Sequence, residues 1–158
     1  MAYKPKRAFR MPGVICVLLL GAASLFGQSN EAIDRILSQE PLTYGAAAYL
    51  VLTASGDLSD SASFDDAVSM LHHQSRSIDN RESREPVTLG EYSYLVMQAL
   101  SIRGGIAYRL FPGPRYAARE LAATGIAQDS AFPSMHLSGE RAVRLLGRAL
   151  AYVEGERL

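Results

Sequence analysis

The sequence predicts an all-α domain made of three helix-loop-helix repeats, and two observations carry that prediction. One helix start is written three times, in "PLTYGAAAYLVLTA" from Pro41, "PVTLGEYSYLVMQA" from Pro86 and "FPSMHLSGERAVRLLGRAL" from Phe132. A shorter helical stretch precedes each copy: "SNEAIDRIL" from Ser29, "SFDDAVSML" from Ser63 and "GPRYAARELAATGI" from Gly113.

Aligned on Thr43, Thr88 and Ser138, the copies agree position by position. Apolar Leu42, Val87 and Leu137 come just before, and Ala47, Tyr92 and Ala142 lie four places on. Leu50-Val51, Leu95-Val96 and Leu145-Leu146 lie seven and eight places on, and Ala54, Ala99 and Ala149 eleven. That spacing draws one apolar face on an α-helix. The hydroxyl residue at each start is suited to an N-cap, whose oxygen takes a free backbone N–H of the first turn. Thr88 with Glu91 adds a capping box. Pro41 and Pro86 stand where a preceding helix must have stopped. The caps are 45 and 50 residues apart, the range of stacked supersecondary units.

In chain order, residues 1–27 read as a signal peptide. Lys4, Lys6, Arg7 and Arg10 form a basic head, "GVICVLLLGAA" (Gly13 to Ala23) an apolar run, and "SLFGQ" a small-residue exit. The run falls short of the roughly 20 apolar residues that span a bilayer; the other use of such a segment is an uncleaved anchor. Cleavage fits after Gly27 or after Ser24. Cys16, the sole cysteine, lies within the apolar run rather than at its end, unlike a lipoprotein acceptor. Export of a chain without disulfides fits a bacterial envelope protein, with a periplasmic or envelope location.

Residues 28–158 then form the domain, with repeats at about 29–56, 63–103 and 113–154. They hold 12 arginines and no lysine against 16 acids, with no basic stripe, which argues against nucleic acid as a partner. "SGDLSDSASF" (Ser55 to Phe64) and "HHQSRSIDNRESREP" (His72 to Pro86) read as polar connections. "SIRGGIAYRLFPGPRY" (Ser101 to Tyr116) reads as a link rich in glycine, proline and aromatic residues.

The third unit, "RYAARELAATGIAQDSAFPSMHLSGERAVRLLGRAL", resembles the S-layer homology (SLH) motif. The shared features are the alanine-rich helix Tyr116 to Ala123, Gly125-Ile126, Phe132-Pro133, Leu137-Ser138 and the helix to Leu150. The resemblance implies three motifs about a pseudo-three-fold axis and a role in attachment to cell-wall glycan. The chain departs from the Thr-Arg-Ala-Glu stretch that family members carry at the second helix. It has Thr43-Tyr-Gly-Ala46, Thr88-Leu-Gly-Glu91 and Ser138-Gly-Glu-Arg141 there, and the first unit lacks both the Gly-Ile and the Phe-Pro.

No constellation for catalysis stands out. His72 and His73 are adjacent and point about 100° apart on a helix; His136 is distant in sequence, so no metal site is expected. The acids of "DLSDSASFDD" lack the spacing and glycine of a calcium loop. Gly104-Gly105 is not followed by a phosphate-loop lysine, and no Gly-x-Ser-x-Gly elbow surrounds Ser134. The expectation is a non-catalytic protein without cofactor.

Arginine is the better lead. Arg103, Arg109, Arg115 and Arg119 share one interval with Tyr108 and Tyr116. Guanidinium forks grip carboxylate or phosphate and stack on aromatic rings, as an acidic glycan site requires. The other use for them is intramolecular pairing with Glu120, Glu91 or a helix C-terminal carbonyl. The reading is therefore an exported SLH-like module, a stand-alone adaptor or one piece of an assembly, whose partner is a cell-wall glycan or another envelope protein. Membrane contact is expected only through the leader before cleavage. The alternative is a periplasmic helical protein-binding or regulatory domain with no glycan role.

Overall fold

The computed structural model describes residues 31–78, 81–128 and 132–156; the segment read as a signal peptide lies outside them. Among the described residues are seven helices and no strand. They are α1 (31–37), α2 (Tyr44–Ser55), α3 (Phe64–His73), α4 (Leu89–Ala99), α5 (Ile106–Leu110), α6 (Pro114–Ala123) and α7 (Gly139–Glu156). None is long and apolar enough to cross a membrane.

The three long helices begin as their sequences predict. Thr43 Oγ1 accepts from Ala46 N–H and Ser138 Oγ from Arg141 N–H, each at 3.4 Å. Thr88 and Glu91 complete the capping box, with Glu91 N–H donating to Thr88 Oγ1 at 3.3 Å and Thr88 N–H to Glu91 Oε2 at 2.8 Å. Ser63 and Asp66 repeat that box at α3. Thr88→Ala leaves the Glu91 N–H of the α4 start without its acceptor, and is expected to cost about 1 kcal/mol in urea unfolding.

The predicted apolar faces meet in one core. Leu42, Val87 and Leu137 are fully buried, as are Ala47, Tyr92 and Ala142. The pairs seven and eight places past each cap are also buried. Helix α2 differs from the amphipathic expectation, because every residue from Tyr44 to Leu52 is buried. It touches α3, α4 and α7 at once, and a helix surrounded on all sides must be apolar all round.

Backbone hydrogen bonds join the three helix starts in a ring. Leu42 N–H donates to Leu137 O at 2.6 Å, Leu137 N–H to Val87 O at 3.4 Å, and Val87 N–H to Leu42 O at 2.9 Å. The residue two places on in each start donates into a neighbouring loop: Tyr44 to Glu85 O, Leu89 to Met135 O and Gly139 to Gln39 O. These bonds satisfy first-turn N–H groups that a helix leaves without internal partners. Gly45, Gly90 and Gly139 allow the approach. A Cβ on Gly90 would lie 2.9 Å from Pro133 O, and one on Gly139 would run into the Ile36 carbonyl.

Two features depart from the sequence reading. The repeats join each short helix to the long helix after it, whereas the most extensive contacts pair α2 with α3 and α4 with α6, each long helix with a later short one. The segment read as an exposed connection before Pro86 is packed. Ser83 O and Glu85 O accept from Gly45 and Tyr44 N–H at 2.8 and 2.7 Å. Arg81 fixes this turn by pairing with Glu85 at 2.7 Å and Glu91 at 3.3 Å and by donating to Pro86 O at 2.6 Å.

Candidate functional site

The arginine-rich interval folds around α5, a five-residue helix where the sequence pattern predicts a link. Gly105 N–H donates to Glu120 Oε2 at 2.8 Å, which ties the start of α5 to α6. Tyr108 is the buried residue of α5; Gln98 Nε2 donates to its hydroxyl at 3.0 Å. Burial raises the Tyr108 phenol above its ordinary pKa, partly offset by that hydrogen bond. Tyr108 is thus an anchor that fastens α5 to α4.

The other side chains of the interval point outward. Arg103, Arg109, Arg115 and Arg119 are exposed, and none makes a hydrogen bond or ion pair among the described residues. Their expected internal partners are engaged elsewhere. Glu120 holds Gly105, and Glu91 holds the Thr88 cap and Arg81. Arg103, Tyr108 and Arg109 line one open cleft with Ile102, Gly104 and Pro112. Arg115 and Arg119 lie on α6, whose Tyr116 stacks on Phe111 with ring centres 6.2 Å apart. The structure brings Arg103 and Arg109 to one cleft and leaves Arg115 and Arg119 outside its lining. Beside them, Ile106, Leu110 and Phe111 are 78%, 66% and 64% exposed.

A second, more polar groove has a volume of about 620 Å³ and no signal in the sequence. It lies where α1, the start of α2, the start of α3 and the turn before Pro86 converge, and Arg35, Gln39, Thr43, Ser63, Phe64 and Arg84 help to line it. Arg35 lies 5.9 Å from the centre of the Phe64 ring and 3.2 Å from Glu31. Gln39 Oε1 accepts from both Thr43 N–H and its hydroxyl, at 2.9 and 3.2 Å. Arg84 is exposed and makes no hydrogen bond or ion pair among the described residues. Donors and acceptors thus surround an aromatic ring, with one arginine uncommitted. Glu31, Asp60 and Asp65 also line the groove and outnumber its two arginines, so the lining suits a ligand rich in hydroxyls rather than an anion. Arg35 and Arg84 are 49 residues apart, and only the packed turn before Pro86 brings them to one groove.

The histidines gather no site. His72 and His73 are exposed at the end of α3, and His136 is exposed in the loop before α7. Among the described residues no group of three or more His, Cys, Asp or Glu side chains is arranged to hold a metal.

The described residues define an all-α protein in which three capped helices meet at their starts. No family model, curated protein or solved structure matches the chain.

Proposed function

We propose that the chain is a divergent SLH-like module, exported and non-catalytic, which attaches to cell-wall glycan or takes part in envelope assembly. The observation that carries this reading is the ring of hydrogen bonds linking Leu42, Val87 and Leu137. Three motif copies about a pseudo-three-fold axis would put equivalent residues into equivalent contacts, and a closed ring among these three supports that arrangement. The polar groove at Arg35 and Arg84 is the proposed saccharide site. Its hydroxyl, amide and carboxylate side chains serve sugar hydroxyls, and the uncommitted Arg84 donates to a sugar oxygen.

The test is retention of the protein by washed sacculi and purified wall saccharide, against detergent-solubilised membrane proteins. Saccharide retention is expected, and joint Arg35→Gln and Arg84→Gln substitution should weaken it about tenfold through lost charge-assisted hydrogen bonds. Retention by membrane proteins with none by sacculi would replace this reading with the protein-binding alternative.

A further inference from the structure

We propose that the tip formed by α5 and the start of α6 docks on an anionic phospholipid bilayer, independently of the saccharide groove. The tip combines two features that membrane-surface elements need. Its apolar side chains stand away from the body: Ile106, Leu110 and Phe111 are three of the five large hydrophobic residues that remain exposed among the described residues. Its charge is chiefly positive. Residues 101–119 carry four arginines and no acid, while the rest of 28–158 carries eight arginines against 16 acids.

The four arginines make no hydrogen bond or ion pair among the described residues, so their guanidinium groups remain available to phosphate oxygens. The nearby acids only partly offset them: Glu120, which accepts from the Gly105 N–H, and Glu156, which lines a cleft beside Arg103 without pairing to it, leave the four arginines in excess.

Shape favours lipid over a protein partner. Ile106 and Leu110 are one helical turn apart on a helix only five residues long, bounded by Gly104-Gly105 and Pro112-Gly113. Such a tip presents side chains that project into a deformable medium, not a broad surface for a second protein to cover. Tyr108 buried beneath and the Phe111–Tyr116 stack hold it in place. Apolar side chains entering the acyl boundary with arginines at the headgroup level is the physics of interfacial binding to anionic membranes.

The chain contains no tryptophan, so Phe111→Trp in the full-length protein supplies a single indole at the tip. Vesicles of phosphatidylglycerol and phosphatidylcholine are expected to shift its emission to the blue, and acyl-brominated lipid to quench it. Phosphatidylcholine alone should do neither. Adding Arg103→Gln, Arg109→Gln and Arg115→Gln should lower the apparent partition coefficient at least about tenfold. Adding Ile106→Ser and Leu110→Ser should abolish the shift with far-UV circular dichroism unchanged, since both side chains are exposed.

The apolar run Gly13 to Ala23 has membrane affinity of its own, but the indole at 111 reports only on the tip. Emission that stays in its aqueous position while the protein co-sediments with vesicles would overturn the proposal. So would an equal shift with uncharged vesicles, or a shift produced only by solubilised envelope proteins. None of these substitutions lies in the groove lining, so saccharide retention is expected to persist and failure of one proposal is distinguishable from failure of the other.

Discussion

Gly139→Ala is expected to lower the melting temperature by about 10 °C. Gly139 opens α7, and its N–H donates to Gln39 O at 2.9 Å, so helix and loop are already at bonding distance. An added Cβ would run into the carbonyl of Ile36, whose residue is fully buried on α1. That obstacle is helix backbone, which cannot rotate aside as a flexible side chain would. Relief requires α1 and α7 to separate, which breaks the Gly139 bond and disturbs the Leu42 to Leu137 bond nearby. Overpacking of this kind costs about 3 kcal/mol. Gly147→Ala supplies the control on the same helix. No neighbouring atom lies within 4 Å of its added Cβ, so relief of glycine's backbone freedom should stabilise by about 0.5–1 kcal/mol. Thermal unfolding of the two variants checks both signs, and a near-identical response would refute the close approach of α1 and α7.

Above about pH 10 the fold is expected to lose stability steeply, through tyrosine. Burial raises the phenol of fully buried Tyr92 well above its ordinary value of 10.0. Tyr44 is raised first by burial, with the Ile78 N–H hydrogen bond opposing; Tyr49 is raised mainly by burial as well. The folded protein therefore keeps these protons at a pH where the unfolded chain releases them. Their contribution is fully present below the unfolded value and is lost as pH climbs through the folded values. Each such tyrosine steepens the decline by up to about 1.4 kcal/mol per pH unit. Residues 28–158 contain no lysine or cysteine, so few other groups there change charge in this range. Tyrosinate absorbance and far-UV circular dichroism, followed together, should change in one cooperative step. Tyr92→Phe removes the hydroxyl that donates to Ala142 O at 3.1 Å, and should cost about 1 kcal/mol at neutral pH while flattening the alkaline decline. Ionisation of every tyrosine near its ordinary value, with the helices intact, would sink this account.

What the sequence revealed and what it concealed follow from the range of each signal. Caps and apolar faces are local. Thr43, Thr88 and Ser138 cap as their neighbours predict, and positions four, seven and eight residues on are buried in all three helices. The partner of each face is not local, and periodicity alone does not say that α2 packs on α3 or α4 on α6. Helix α5 is not legible in the sequence, because five residues between glycines and prolines give too few turns for a periodic pattern.

The candidate residues divide along the same line. Tyr108 and Tyr116 drew notice as aromatic rings, but burial makes one an anchor, and Phe111 engages the other. The groove at Arg35 and Arg84 depends on Ser83 and Glu85 carbonyls meeting α2, a backbone interaction that leaves no side-chain pattern. Legible with hindsight is Gly45, placed two residues past its cap like Gly90, where side-chain room is absent in both.

The ring at Leu42, Val87 and Leu137 has a consequence for how this protein comes apart. A linear array of repeats has end units that fray first and leave the interior standing. A ring has no end, since each start donates to one neighbour and accepts from the other. Excising α7 with its lead-in would strip Leu42 of its acceptor and Val87 of its donor in one stroke, leaving the remaining pair only the Val87 to Leu42 bond of the three. Assembly carries the matching delay: residue 42 must find residue 137 before the circle can close, which places this helical protein toward the slow end of its class.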